Sequence, residues 1–171
     1  ISIVYFFLSF ELPFFYCSVI ILFGVLTNIY LQFRVKKNQL SNFSSTIYLL
    51  YDLVQLATLL YLTGGITNPF TILLIVPAIV SSTFLSLRST LNLSFVTIIL
   101  LLVLTLYHLP LPYSGDLHFH VPNYYLYAIP TAVIIGLIFL TYFGARFGIE
   151  SRKRTEALNK LELILAKEHE L

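Results

Sequence analysis

Continuous apolar runs of roughly 17–22 residues recur along the chain, and that is the length of helix needed to cross the hydrocarbon of a bilayer. The runs do not alternate, as the ten-residue strands of a membrane barrel would. In lipid, backbone N–H and C=O groups have no water to turn to, so only helices or closed barrels span it. Composition points the same way. Of the 171 residues, 58% are hydrophobic and 11% charged, with a mean hydropathy of +0.88; a soluble domain carries roughly 25% charged residues. The expected fold is all-α, a polytopic transmembrane helical bundle, and a water-soluble globular enzyme is excluded.

The sequence predicts six spans, the first one partial. That partial span runs from Ile1 to about Ser9 and breaks at Glu11-Leu12-Pro13. The others are predicted at Phe14 to Phe33, Thr46 to Thr63, Pro69 to Leu87, Leu91 to Leu109 and Tyr124 to Phe147. Pro77 and Pro130 are candidate kinks in the fourth and sixth. Residues 1–147 thus form the transmembrane domain. Residues 148–171 are charged and free of proline, and they predict a linker helix with Leu158, Leu161 and Leu165 at roughly heptad spacing. The chain contains no Met, so its true N-terminus is expected upstream. Its single cysteine, Cys17, lies inside an apolar run and reads as a small apolar residue.

The ten Lys and Arg residues decide orientation. Arg34, Lys36 and Lys37 follow the second span and Arg88 the fourth; Arg146, Arg152, Lys153, Arg154, Lys160 and Lys167 follow or close the sixth. None follows the first, third or fifth. Basic loops stay on the cytoplasmic side, so both ends of the chain are expected there. The opposite face then carries Glu11, the turn at Gly64–Asn68 and a loop with Asp116, His118 and His120.

One segment of that face carries chemistry: Leu62-Thr63-Gly64-Gly65-Ile66-Thr67-Asn68-Pro69-Phe70. Glycine readily takes the left-handed conformation that ends a helix. Asn68 suits a helix N-cap and Pro69 the first helical position. Free N–H groups and the positive end of a helix dipole are therefore expected at the outer interface, beside the aromatic ring of Phe70. Donors next to an aromatic plane suit a quinone, a flat ring with carbonyl acceptors. A capped hairpin that binds nothing has the same spacing. Asp52 and Gln55 are polar residues inside the third span, expected on one helix face near its cytoplasmic end. An intramembrane carboxylate is by default a functional candidate, and a signal-coupling or packing role is expected. His108, His118 and His120 lack the ligand partners of a metal or haem site, so no metal is predicted. Tyr107, Tyr113, Tyr124, Tyr125 and Tyr127 read as an interfacial aromatic belt.

Gly64-Gly65-Ile66-Thr67-Asn68-Pro69-Phe70 matches the GGxxNPF signature of RegB/PrrB-type redox-responsive sensor histidine kinases. Asp52-Leu53-Val54-Gln55-Leu56, Leu60-Tyr61-Leu62-Thr63, His108-Leu109-Pro110-Leu111-Pro112 and the tail from Glu156 to Glu168 also resemble that family's membrane domain. The resemblance implies ubiquinone as a regulatory ligand, with Gly64, Gly65, Asn68, Pro69 and Phe70 as quinone-site residues. It implies a homodimer joined through the linker helix and a bacterial inner-membrane location. It further implies that ATP and a response regulator meet a kinase core beyond Leu171, so the fragment has no catalytic residues while its parent is an ATP-dependent protein-histidine kinase. His169-Glu170-Leu171 mimics a phosphoacceptor box but is expected to belong to the linker. Nucleic acid is not an expected partner. The alternative reading is a small membrane transporter or membrane-anchor subunit. That would place polar residues along facing helices, with paired broken spans.

Overall fold

A computed structural model describes residues 13–35, 41–109 and 122–169, and every regular element among them is helical. In chain order these are α1 (Phe14–Val35), α2 (Asn42–Leu62), a 3₁₀ turn at Gly65–Thr67, a 3₁₀ helix at Pro69–Ile75, α3 (Val76–Phe84), α4 (Leu87–Leu106) and α5 (Asn123–His169). Among the described residues, four helices are long and apolar enough to cross a membrane: those beginning at Phe14, Asn42, Leu87 and Asn123. The partial first span, the basic residues Lys36 and Lys37, and the loop with Asp116, His118 and His120 lie outside the described residues.

Helices begin earlier than the apolar runs do. Ser41 caps α2, its Oγ accepting from the Ser44 N–H at 3.2 Å, and Ser86 caps α4, accepting from Ser89 at 3.4 Å. The polar first turns at Asn42–Ser45 and Arg88–Ser89 are helical but too hydrophilic to count as hydrocarbon span. Hydropathy therefore found these spans and misplaced their starts.

The fourth span is not a plain α-helix. Seven residues, Pro69–Ile75, are wound as 3₁₀ and nine, Val76–Phe84, as α. Pro77 explains the change of winding. In an α-helix the Leu73 carbonyl would accept from the N–H four residues on, and Pro77 has none. The Val76 N–H bonds to Leu73 instead, in the 3₁₀ pattern. A 3₁₀ helix rises about 2.0 Å per residue against 1.5 Å for α, so this short rod reaches roughly 27 Å, near the hydrocarbon thickness of about 30 Å.

The rod is the centre of the molecule. Leu74, Ile75 and Ala78 pack with Leu53, Ala57 and Leu60 of α2, Leu101 and Leu104 of α4, and Val133 and Leu137 of α5. Ile66, from the turn, closes this core at one end. Buried hydroxyls bond back to their own helices: Thr97 donates to Leu93 O at 2.9 Å, Ser81 to Ala78 O at 2.8 Å and Ser82 to Ile79 O at 2.7 Å. That satisfies them where no water reaches. Among the described residues no buried side-chain nitrogen or oxygen lacks a partner.

The rod and α5 meet through glycines. Ile75 lies over Gly136 and Ser82 over Gly144. A β-carbon on Gly148 would come within 2.9 Å of the Ser82 and Thr83 carbonyl oxygens. Just past the rod, Arg152 donates from Nη2 to the Leu85 carbonyl at 2.7 Å, a charge-assisted bond to the end of a helix. The other helices alternate in direction. Gln55 and Tyr51 of α2 meet Ile20 and Thr27 of α1, so these two run antiparallel. The Gly64–Phe70 turn and His108 thus share one end of the bundle, and Leu85, Arg88 and Arg152 the other, the pairing that the charge pattern predicts.

α5 has 47 residues and no break. It passes through Pro130 and across the expected boundary at 147/148 without interruption. The last span and the linker are one element of backbone.

Candidate functional site

α2 ends at Leu62, with the Thr63 N–H bonded to Leu60 O at 3.0 Å. Gly64 then takes φ 98° and Gly65 φ 55°, both in the left-handed region that disfavours a side chain. The reversal leads directly into the 3₁₀ turn Gly65–Thr67. Both glycines are buried, and so is Ile66.

Asn68 holds the turn together. Its Oδ1 accepts from the Phe70 N–H at 2.9 Å, the expected N-cap. Its Nδ2 donates backwards to Thr63 O at 2.9 Å and Thr63 Oγ1 at 2.8 Å. Its own N–H reaches Gly65 O at 3.2 Å, and its carbonyl accepts from Thr71 N–H at 3.0 Å. Thr67 bonds through N–H and hydroxyl to Gly64 O, at 3.1 and 2.7 Å. The buried Thr71 hydroxyl donates to Gly65 O at 2.9 Å.

These bonds correct one expectation. The free N–H groups anticipated at the start of the fourth span are occupied: Pro69 has none, Phe70 is capped by Asn68, and Thr71 bonds to the Asn68 carbonyl. A 3₁₀ start with an Asn cap and a leading proline uses every early donor, which spacing alone does not reveal. What the turn offers outward is apolar: Pro69 is exposed, and Phe70 is 59% exposed.

His108 stands out in the sequence, but its contact with the turn follows only from the fold. His108, just past α4, sits against Gly65 so closely that a β-carbon there would collide with the Cβ and Cγ of the histidine. Its Nδ1 bonds to Leu104 O at 2.9 Å. The next residue, Leu109, donates its N–H to Tyr61 O at 2.9 Å and ties the exit of α4 to the end of α2. The second glycine of the motif therefore makes room for an imidazole 43 positions further along. Only the proximity of the two chain segments could have revealed it.

Asp52 and Gln55 are not brought to the turn. Asp52 lies midway along α2 (Asn42–Leu62). Gln55 donates from Nε2 to Ile20 O at 3.0 Å and lies over Gly24, holding α1 against α2. Asp52 is half-buried, and its carboxylate makes no hydrogen bond or ion pair among the described residues. Tyr107, Tyr124, Tyr125 and Tyr127 are exposed at the turn end, as an aromatic belt requires, and Tyr113 lies outside the described residues. Cys17 is buried.

The fold and its turn define a polytopic helical membrane domain organised around a GGxxNPF reversal. A family model described as the PilS-like transmembrane domain matches residues 6–158, and the chain belongs to that family. It is 34% identical over 166 residues to the sensor histidine kinase RegB of Cereibacter sphaeroides. The match covers 96% of this chain and 36% of that protein, so the chain spans about a third of its relative's length. The likeness to RegB-type membrane domains expected from the motif is borne out. No solved structure matches.

Proposed function

We propose that this chain is the sensor domain of a RegB-type histidine kinase in a bacterial inner membrane, with both ends cytoplasmic. In this reading the Gly64–Phe70 turn responds to a membrane quinone, ubiquinone by resemblance to the family. The signal leaves through α5, whose tail pairs with that of a second copy. ATP and the response regulator act on the kinase part, which lies outside this chain.

One observation carries the proposal. The turn is the head of the rod Pro69–Phe84, and the foot of the same rod rests on Gly144 and Gly148, with Arg152 bonded just beyond it to Leu85 O. A ligand that moves the turn therefore moves an element seated on the output helix. Further support comes from Phe70, whose exposed ring beside the turn suits a flat aromatic ligand. A ligand shifts such an equilibrium only by its differential affinity for the two arrangements.

The test is autophosphorylation of the full-length protein reconstituted in liposomes with oxidised or reduced ubiquinone. The expected result is a different rate in the two. Equal rates, equal also to those in quinone-free liposomes, refute the proposal.

A further inference from the structure

We propose that the cleft between the foot of the rod and α5 binds one phospholipid with a primary-ammonium headgroup, its phosphate on Arg152 and its ammonium on Glu156.

The cleft has a volume of about 350 Å³, and its walls include Phe84 of the rod and Gly148, Ser151, Arg152 and Glu156 of α5. Sites for small molecules hold roughly 300–1,000 Å³. Gly148, Arg152 and Glu156 are spaced by four residues, so they share one face of α5, and each step advances about 6 Å along it. Gly148 lies level with Ser82 and Thr83, within the span, and Arg152 lies level with Leu85, at its end. Glu156 stands one turn further out. From the bundle outward the cleft therefore presents the ring of Phe84, which is 74% exposed, then a cation, then an anion. A zwitterionic phospholipid presents acyl chain, phosphate and ammonium in the same order.

Both charges are open to a ligand. Glu156 forms an ion pair with none of Arg152, Lys153 or Lys160 among the described residues, although each is three or four positions away. Glu150 and Arg154, at the same spacing, do pair. Arg152 turns instead to the Leu85 carbonyl, at 2.7 Å. A guanidinium has five N–H donors and grips phosphate with two at once. The bond to Leu85 uses one and fixes the group at the rim of the cleft. The Ser151 hydroxyl has no hydrogen-bond partner among the described residues and is a further donor.

The pairing selects the headgroup. An anionic lipid would satisfy Arg152 and leave Glu156 facing no cation. A choline headgroup would bring the cation without an N–H to donate. A primary ammonium supplies both. A lipid seated here touches the rod and α5 together, where one rests on the other.

The experiment is native mass spectrometry of the full-length protein in detergent micelles. It is titrated with phosphatidylethanolamine, phosphatidylcholine and phosphatidylglycerol of identical acyl chains. One phosphatidylethanolamine per chain is expected to bind about two- to fivefold more tightly than either of the others, the difference that an exposed ion pair supplies. Glu156→Gln, at an exposed position, is expected to abolish that preference. Arg152→Gln is expected to weaken all three lipids; should it not fold, the Glu156 variant decides. Equal binding of the three lipids overturns the proposal, as does tightest binding of phosphatidylglycerol or a preference that survives in Glu156→Gln. Displacement of the lipid by soluble phosphoethanolamine at equal concentration overturns its assignment to a lipid.

Discussion

Gly65 is held by two constraints at once. Its φ of 55° disfavours a side chain, and the His108 ring fills the space a β-carbon would take. Gly65→Ala therefore strains the backbone and displaces the imidazole. The expected loss is about 2–4 kcal/mol, combining a left-handed residue with overpacking, read as a lower thermal midpoint in detergent. Gly64→Asn, at a left-handed position that tolerates Asn, is expected to lose much less. At this scale the sequence was informative about covalent neighbours and silent about distant ones. Asn68 as a cap and Pro69 at the first helical position could be read from spacing. That Asn68 also reaches back to Thr63, and that the early donors are used, follows from the 3₁₀ winding. The contact of His108 with Gly65 depends on α4 ending beside α2.

Among elements, the rod is the unusual one. Runs of 3₁₀ helix longer than three or four residues are uncommon, and this one has seven. Its winding depends on Pro77, which denies Leu73 an α-type partner. Pro77→Ala supplies that N–H and lets the α winding run back toward the turn. Each converted residue shortens the rod by about 0.5 Å. Spin labels at the exposed positions 70 and 84 are expected to approach by about 3 Å, measured by electron–electron double resonance. An unchanged distance means that packing and not Pro77 sets the winding. Apolar length revealed that a span lies here, and the proline suggested a kink. The extended winding was not legible, because apolar content is the same for either helix. The spans themselves were found by their hydrocarbon-length runs, with starts missed where polar caps extend the helix into the interface.

In the whole molecule, the bundle is a clamp on one long helix. α5 rises about 70 Å over its 47 residues, and only about 30 Å of that lies within hydrocarbon. Its part beyond the bundle bears Leu158, Leu161 and Leu165 on an exposed surface, with one ion pair among the described residues, Glu150–Arg154, at 3.4 Å. An exposed pair of that kind contributes about 0.3–0.5 kcal/mol, too little to hold a helix out in water alone. A second copy at the leucine face, as proposed, would supply the missing burial. An unbroken helix is a stiff shaft without a swivel, so a twist given to it by the rod at Gly144 and Gly148 arrives undiminished at the far end. It also has a phase. Each residue inserted after Ser151 turns everything beyond it by about 100°, and seven bring it back to within about 20°. Quinone response in the full-length protein is therefore expected to vanish or invert with one inserted residue and return with seven, so that the output depends on the angular setting of the shaft more than on its length.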